Sequence, residues 1–372
     1  MRKIFYLFII LLTCLPLRGA LIREFGRIGK EFDRRKRTVL KKNTGQYREL
    51  SKNSTEDILI LAKFYEVGKI INSFVFLHGD SRKMLESIAA SQLDKLNYDF
   101  VIFKDIFTDT VYYILREKLN NDIYGWGTYI FNPEYTYDVL IECPHPLYDW
   151  YSADIGINIF CGSNSKAFFM AGAHRFANSK KKGNRYGNSD AAHLKLSVFQ
   201  AMHIAWCGSH TSTYQIHGFK SGKYDDEFPT DTDIVISSSD GVVTKEALIL
   251  NKSFKKLSKE NNFLLHSHVA NELPRLSYAN IAVNKKSLVS DNEKGRICDG
   301  ERFRNLAAKD NRQGKYSNTY ALSPFVHIEI GSDLRYLISV SPNIENIIIS
   351  AVEKTIFATA YSRKTHPHNH TY

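Results

Sequence analysis

The chain has 372 residues, 43% hydrophobic and 24% charged, with a formal net charge of +11. That size and apolar content suffice for a sizeable core in one large domain or two small ones, and they exclude a chain disordered throughout. The basic runs Arg34–Arg37, Lys41–Lys42 and Ser179–Arg185 have no interleaved aromatic residues, so no nucleic-acid partner is expected; they fit solvated faces or attraction to an anionic envelope.

Residues 1–20 begin with Arg2 and Lys3, followed by an apolar run from Ile4 to Leu17 that is too short for a comfortable membrane span. They predict a signal peptide or an uncleaved N-terminal anchor, and hence a periplasmic or secreted protein. Beyond them Cys143, Cys161, Cys207 and Cys298 lack the paired spacing of a zinc knuckle. One disulfide, or simply small buried residues, are the two readings of this set.

Residues 21–69 are charged and loosely patterned, and predict an N-terminal extension or a helix packed on the main body. From 70 to 362, strand-like runs alternate with helix-like ones: SFVFLHG, FVIFKDIF, DVLIECPH, KAFFMAGAH, TYQIHGF, TDIVISSS and FVHIEIG against AAHLKLSVFQAMHIAW and TKEALILNKSFKKLSKE. This alternation predicts an α/β fold, a single domain with a mixed, mostly parallel central sheet flanked by helices. A long helix starting near Ser341 closes it, and residues 363–372 read as a flexible tail.

In open α/β sheets ligands bind outside the carboxyl ends of the strands. Polar residues gather at those positions: Glu142 and His145 after one strand, His174 and Arg175 after another, His217 in a third and Glu329 in a fourth. A catalytic zinc takes two histidines and one carboxylate and leaves a position open. It also calls for a nearby base and a cation to hold developing charge. His145, Asp149, His217, Glu329 and Arg175 supply those parts. There is no glycine-rich phosphate loop and no GxSxG elbow to support another chemistry.

From about Asp138 to Ile347 the order of motifs resembles the zinc carboxypeptidase superfamily, with its N-formylglutamate amidohydrolase and aspartoacylase-like branches. PHPLYD is similar to the element that carries a histidine and a carboxylate ligand, QIHGF to the second histidine strand and FVHIEIG to the strand of the catalytic glutamate. The resemblance implies a zinc carboxypeptidase-like fold, with Zn2+ held by His145, Asp149 and His217 and with Glu329 as catalytic base. It further implies an Asn and an Arg that grip a substrate carboxylate, for which Arg175 with Asn178, or Asn184 with Arg185, are available.

One spacing departs from the family. The usual His-x-x-Glu would place the acidic ligand at Tyr148, and Asp149 comes one residue later. Pro146 favours a helical turn, and residues four apart share a helical face, which favours Asp149 over the rival Glu142. His174 is a further pocket residue, while Asp190 and His193 open the following helix, Asp190 as its cap or as support for a ligand histidine. His266 and His268, the polar run 311–318 and the histidines of the tail lack a complete constellation.

The reading that follows is an exported zinc-dependent hydrolase cleaving an amide or peptide bond next to a carboxylate-bearing group. Its substrate is a small acyl-amino-acid, a peptide or a cell-envelope component. The alternatives are a peptidoglycan or acidic-polymer hydrolase and an inactive binding protein on the same scaffold.

Overall fold

A computed structural model describes residues 21–119, 122–178, 187–221, 231–239, 244–270, 306, 308 and 310–365. In chain order the elements are β1 (Ile22–Gly26), α1 (Ile28–Arg37), α2 (Thr55–Asn72), α3 (Gly79–Asp94), β2 (Tyr98–Asp105), β3 (Val111–Glu117), β4 (Thr128–Phe131) and β5 (Tyr137–Cys143). They continue with α4 (Ser152–Gly162), β6 (Ser165–Met170), α5 (Val198–Trp206), β7 (Ser212–Phe219), β8 (Ile234–Ser237), α6 (Lys245–Glu260), β9 (Ser267–Val269), α7 (Arg312–Tyr316), β10 (Phe325–Gly331), α8 (Ser332–Val340) and α9 (Pro342–Thr365). The expected signal at 1–20 lies outside the described residues, as do Asn184, Arg185 and Cys298; of the tail expected at 363–372, residues 363–365 instead continue α9, and 366–372 lie outside the described residues. Among the described residues no helix is long and apolar enough to cross a membrane.

The ten strands among the described residues form one sheet, in the order β1-β2-β3-β4-β6-β5-β7-β10-β8-β9. The central run β6-β5-β7-β10 is parallel, and antiparallel pairs join β2 to β3, β3 to β4, β4 to β6 and β10 to β8. The fold is therefore α/β with a mixed, mostly parallel sheet flanked by helices. Side-chain alternation divides it into two cores. On one face Ile141, Ile216 and Ile328 pack with Phe32 of α1, Ile155 of α4, Phe254 of α6 and Val352 of α9. On the other, Phe100, Tyr129 and Phe169 pack with Phe64 of α2, Leu93 of α3 and Trp206 of α5.

Four segments differ from the sequence-based expectation. Residues 21–69 do hold helices packed on the main body, one of the two expectations, but they form no separate extension: β1 pairs with β2, Leu40, Tyr47 and Phe64 lie in the core, and the 69/70 boundary falls inside α2. Ser54 starts α2 by accepting a hydrogen bond from the Asp57 amide, an N-cap masked by the charge around it. SFVFLHG is a 3-10 turn ending α2, not a strand. Phe74 fills a helix-to-helix corner while Phe76 stands exposed, a use that a short apolar run does not distinguish from a strand. The helix expected from Ala191 begins only at Val198, where the Ser197 hydroxyl accepts from the Gln200 amide (3.1 Å). Within the basic run, Arg35 is buried in an ion pair with Glu31 (2.7 Å).

The placement of β5 matters most for function. The connection from β5 to β6 passes through α4 on one face, and that from β6 to β7 through α5 on the other. Such a divergence opens a crevice at the carboxyl ends of the strands, here those of β5 and β7.

Candidate metal centre

The crevice is lined by one face of three neighbouring strands. Register pairs Glu142 with Gln215 and Gln215 with His327, and one step further on His217 with Glu329. All five lie on the face opposite Ile141, Ile216, Ile328 and Ile330, which are spent on the core. His145 and Asp149 arrive from the turn after β5, closed by the Asp149 amide donating to the His145 carbonyl (2.9 Å). This single α-like turn is the helical face expected from the four-residue spacing, although α4 itself starts only at Ser152, beyond a left-handed Tyr151 (φ 68°).

His145, Asp149 and His217 converge. Asp149 Oδ2 lies 3.1 Å from His145 Nδ1 and 3.4 Å from His217 Nδ1. The His145–Asp149–His217 group has donor atoms within 4.8 Å of one another, close enough to hold a metal ion. Among the described residues two further groupings meet the same limit, His145–Asp190–His193 and His217–His327–Glu329. Glu142 belongs to none of them: its carboxylate takes His203 Nδ1 (2.7 Å) and the Gln215 amide (2.9 Å), beneath the crevice.

The far nitrogens of both histidines are anchored. His145 Nε2 meets Asp190 Oδ1 at 2.8 Å, and His217 Nε2 meets Gln215 Oε1 at 2.7 Å. The polarity of the second contact can be traced to the main chain. The Gly314 amide can only donate, so the Asn311 oxygen it meets (2.9 Å) is an acceptor, and the Asn311 Nδ2 therefore donates to Gln215 Oε1. Gln215 Nε2 in turn donates to Glu142 (2.9 Å) and Gln313 (3.2 Å). His217 must then donate through Nε2, which leaves the lone pair of Nδ1 aimed at the Asp149 carboxylate. Two acceptors face each other there, an arrangement that a cation relieves.

Charge follows the same geometry. Burial opposes the imidazolium of His145, but Asp190 and Asp149 outweigh it and lift the group to about 9. Burial pushes His217 down to about 4, so it stays neutral. Asp149 is held well below the ordinary carboxylate range, since the charge and hydrogen bond of His145 outweigh its own burial. Glu329 goes the other way: burial first, then the charge of Asp149, raises it to about 8. Its Oε2 is buried with no hydrogen-bond partner, and its Oε1 lies 3.6 Å from His327 Nε2.

The remaining expected site residues divide. Asp190 caps nothing, because α5 starts eight residues later; it is fully buried and gathers His145, His193 (2.9 Å) and Arg175 (2.5 Å). Arg175, expected to grip a substrate, spends Nη2 on Asp190 and lies over the rings of Tyr148 (5.0 Å) and Phe176 (5.4 Å). Asn178 is turned away to the N-terminal segment, bonding both main-chain groups of Tyr47 and the Glu49 carboxylate (2.9 Å). His174 accepts from the Phe176 amide through Nδ1 (3.0 Å) and packs edge-on against Tyr148. Sequence reasoning missed Gln215, Asn311 and Gln313. The first carried a readable signal, two residues before His217 on the same strand face, whereas the polar run 311–318 read only as a loop.

No family model matches the chain, and neither a curated protein nor a solved structure does.

Proposed function

We propose that the protein is an exported zinc-dependent hydrolase of the zinc carboxypeptidase type, cleaving an amide or peptide bond next to a carboxylate. The observation that carries this reading is the fixed His217 lone pair facing Asp149 beside His145, with the far nitrogen of each histidine locked by Asp190 or Gln215. Outer partners that set the tautomer of a histidine are the habit of metal sites. The donor set suits the group: two imidazoles and one carboxylate are a zinc set, and His145, Asp149 and His217 would hold it. When bound, the ion supplies a Lewis acid that polarises a carbonyl and makes water a stronger acid.

Glu329 is the residue placed to move protons. Raised to about 8 and carrying an unpartnered oxygen at the crevice, it holds a proton in the metal-free protein. A neighbouring cation favours its charged form, so with the site filled it accepts a proton from water and returns it to the leaving amine. Asp190 and Arg175 keep His145 in place, and Gln215 does so for His217. With the site filled, His145 is neutral and Glu329 charged, so Arg175 and Arg335 stand against Asp149, Asp190 and Glu329, one negative charge in excess before the ion is counted. A divalent ion turns that excess positive, which favours an anionic substrate such as an acyl-amino-acid, an acidic peptide or a carboxylate-rich envelope component.

The test is metal analysis of protein purified from zinc-containing medium, followed by hydrolysis assays on N-acyl amino acids and short acidic peptides. About one zinc per chain is expected from a single three-ligand site. Metal-free protein that cannot be reconstituted refutes the reading. One zinc per chain with no turnover across the panel favours an inactive binding protein on this scaffold.

A further inference from the structure

β1 is an edge strand, and several large side chains around its carboxyl end are spent on neither core. Phe25 is 80% exposed, Phe107 64% and Ile106 61%. They belong to one corner of the molecule: the Ile106 amide donates to the Gly26 carbonyl (2.8 Å), so the turn after β2 lies against the residue that follows Phe25. Single exposed apolar residues are normal on a protein surface, whereas three large ones at one corner call for a partner.

The basic run of α1 borders that corner. The Arg27 guanidinium lies over the Phe107 ring (4.1 Å). Arg27, Lys30, Arg34 and Arg37 follow one another at intervals of three and four, which puts them on one helical face, and all are exposed. Ile28, Glu31, Phe32 and Arg35 form the buried face, while Lys36, on the remaining flank, pairs with Asp154 of α4 toward the middle of the sheet. The basic face is thereby turned outward past β1. Asp33 partly offsets Lys30 (3.8 Å) and the buried Glu31 takes Arg34 (2.8 Å), which leaves this face positive through Arg27 and Arg37.

An apolar corner bordered by a positive face complements an anionic lipid bilayer: aromatic side chains enter the interface, and the cations meet the headgroups. The sequence supplies a second argument. Residues 18–21 alone separate the apolar run Ile4–Leu17 from Ile22, and Ile22 lies about 10 Å along the strand from Phe25. We propose that the β1 edge is a membrane-docking surface, with Phe25, Ile106 and Phe107 inserted into an anionic leaflet and the outer face of α1 laid on its headgroups. The crevice stays open in this pose. Three antiparallel steps, β2 to β3, β3 to β4 and β4 to β6, reverse the strand direction between β1 and β5. The carboxyl ends of β5 and β7 therefore lie on the rim of the sheet opposite to Phe25, and β5 stands five positions along from β1. A ligand enters from the aqueous side.

The inference does not depend on the hydrolase reading, and its test needs no turnover. Co-sedimentation of the full chain is measured with vesicles of phosphatidylcholine and of phosphatidylcholine mixed with phosphatidylglycerol. Wild type is compared with Phe25→Ser/Phe107→Ser and with Lys30→Gln/Arg37→Gln; all four positions are exposed, so both variants are expected to melt with the wild type. Wild type is expected to prefer the mixed vesicles. The aromatic variant is expected to lose about tenfold or more in affinity for them, and the basic variant a similar factor for mixed vesicles with no change on phosphatidylcholine. Should the aromatic variant not fold, the basic variant decides through its difference between the two vesicles. Mixed-vesicle affinity within twofold of wild type in the folded variants overturns the proposal, because the N-terminal run would then suffice, as does a wild type that binds neither vesicle. A wild-type dimer that the aromatic variant splits, with no loss of vesicle binding, also overturns it and assigns the corner to a second copy of the chain, edge strand against edge strand.

Discussion

Asp190→Asn is the sharpest probe of how the metal centre is built. The substitution keeps the shape and leaves Oδ1 to accept from His145 Nε2, now 2.8 Å away, but it replaces the oxygen 2.5 Å from Arg175 with an NH2 group. Two donors then face each other in a fully buried position. Breaking a buried pair from one side costs about 3–5 kcal/mol, and the low end applies because Arg175 retains some contact with solvent. Against a total stability of about 5–15 kcal/mol the variant is expected to fold at 25 °C, with a lower urea midpoint. The metal loses more specifically. Outer-partner substitutions weaken binding about 10–100-fold, or roughly 1.4–2.8 kcal/mol. A zinc titration against a competing chelator measures this, with circular dichroism to confirm the fold. A folded variant that binds zinc within twofold of wild type refutes the role given to Asp190; helix capping is no refuge, since α5 is capped by Ser197.

The carboxylate ligand is separable from its rival: Asp149→Ala is expected to abolish zinc binding, whereas Glu142→Ala strands the buried His203 and lowers stability by about 3 kcal/mol while zinc still binds folded protein. The opposite pattern moves the ligand to Glu142. Glu329→Gln removes the base with little change of shape, so zinc is expected to stay while turnover falls by about two to four orders of magnitude; undiminished turnover would exclude this residue as the base. The pH dependence of chelator-treated protein follows from three raised groups, His145 at about 9, His203 at about 10 through Glu142 overriding burial, and Glu329 at about 8. A raised folded value stabilises fully below the unfolded one and is lost as pH climbs through it, so the melting temperature is expected to fall from about pH 6.5 to pH 10. His217, depressed to about 4 by burial, adds a loss below the ordinary histidine value. A melting temperature that rises from pH 6.5 to pH 9 contradicts these assignments, and zinc is expected to flatten the alkaline fall because His145 as a ligand holds no proton.

The sequence by itself determined the fold class and the strand ends. Period-two alternation in FVHIEIG and TYQIHGF places isoleucines on one face and His327, Glu329, Gln215 and His217 on the other, and the structure has them so. The four-residue spacing of His145 and Asp149 was equally legible, because a single α-like turn is a local object. Only the tertiary structure decided which polar residues meet. Asp190 and Asn178 stand twelve residues apart in the chain, yet one is buried against His145 and the other holds Tyr47 and Glu49. Gln215 orients His217 because residue 311 arrives from 96 positions further along the chain with a donor of fixed polarity. Periodicity and spacing are local properties written into the chain, whereas partnership across the crevice depends on the order of the strands and on which buried donor finds which acceptor.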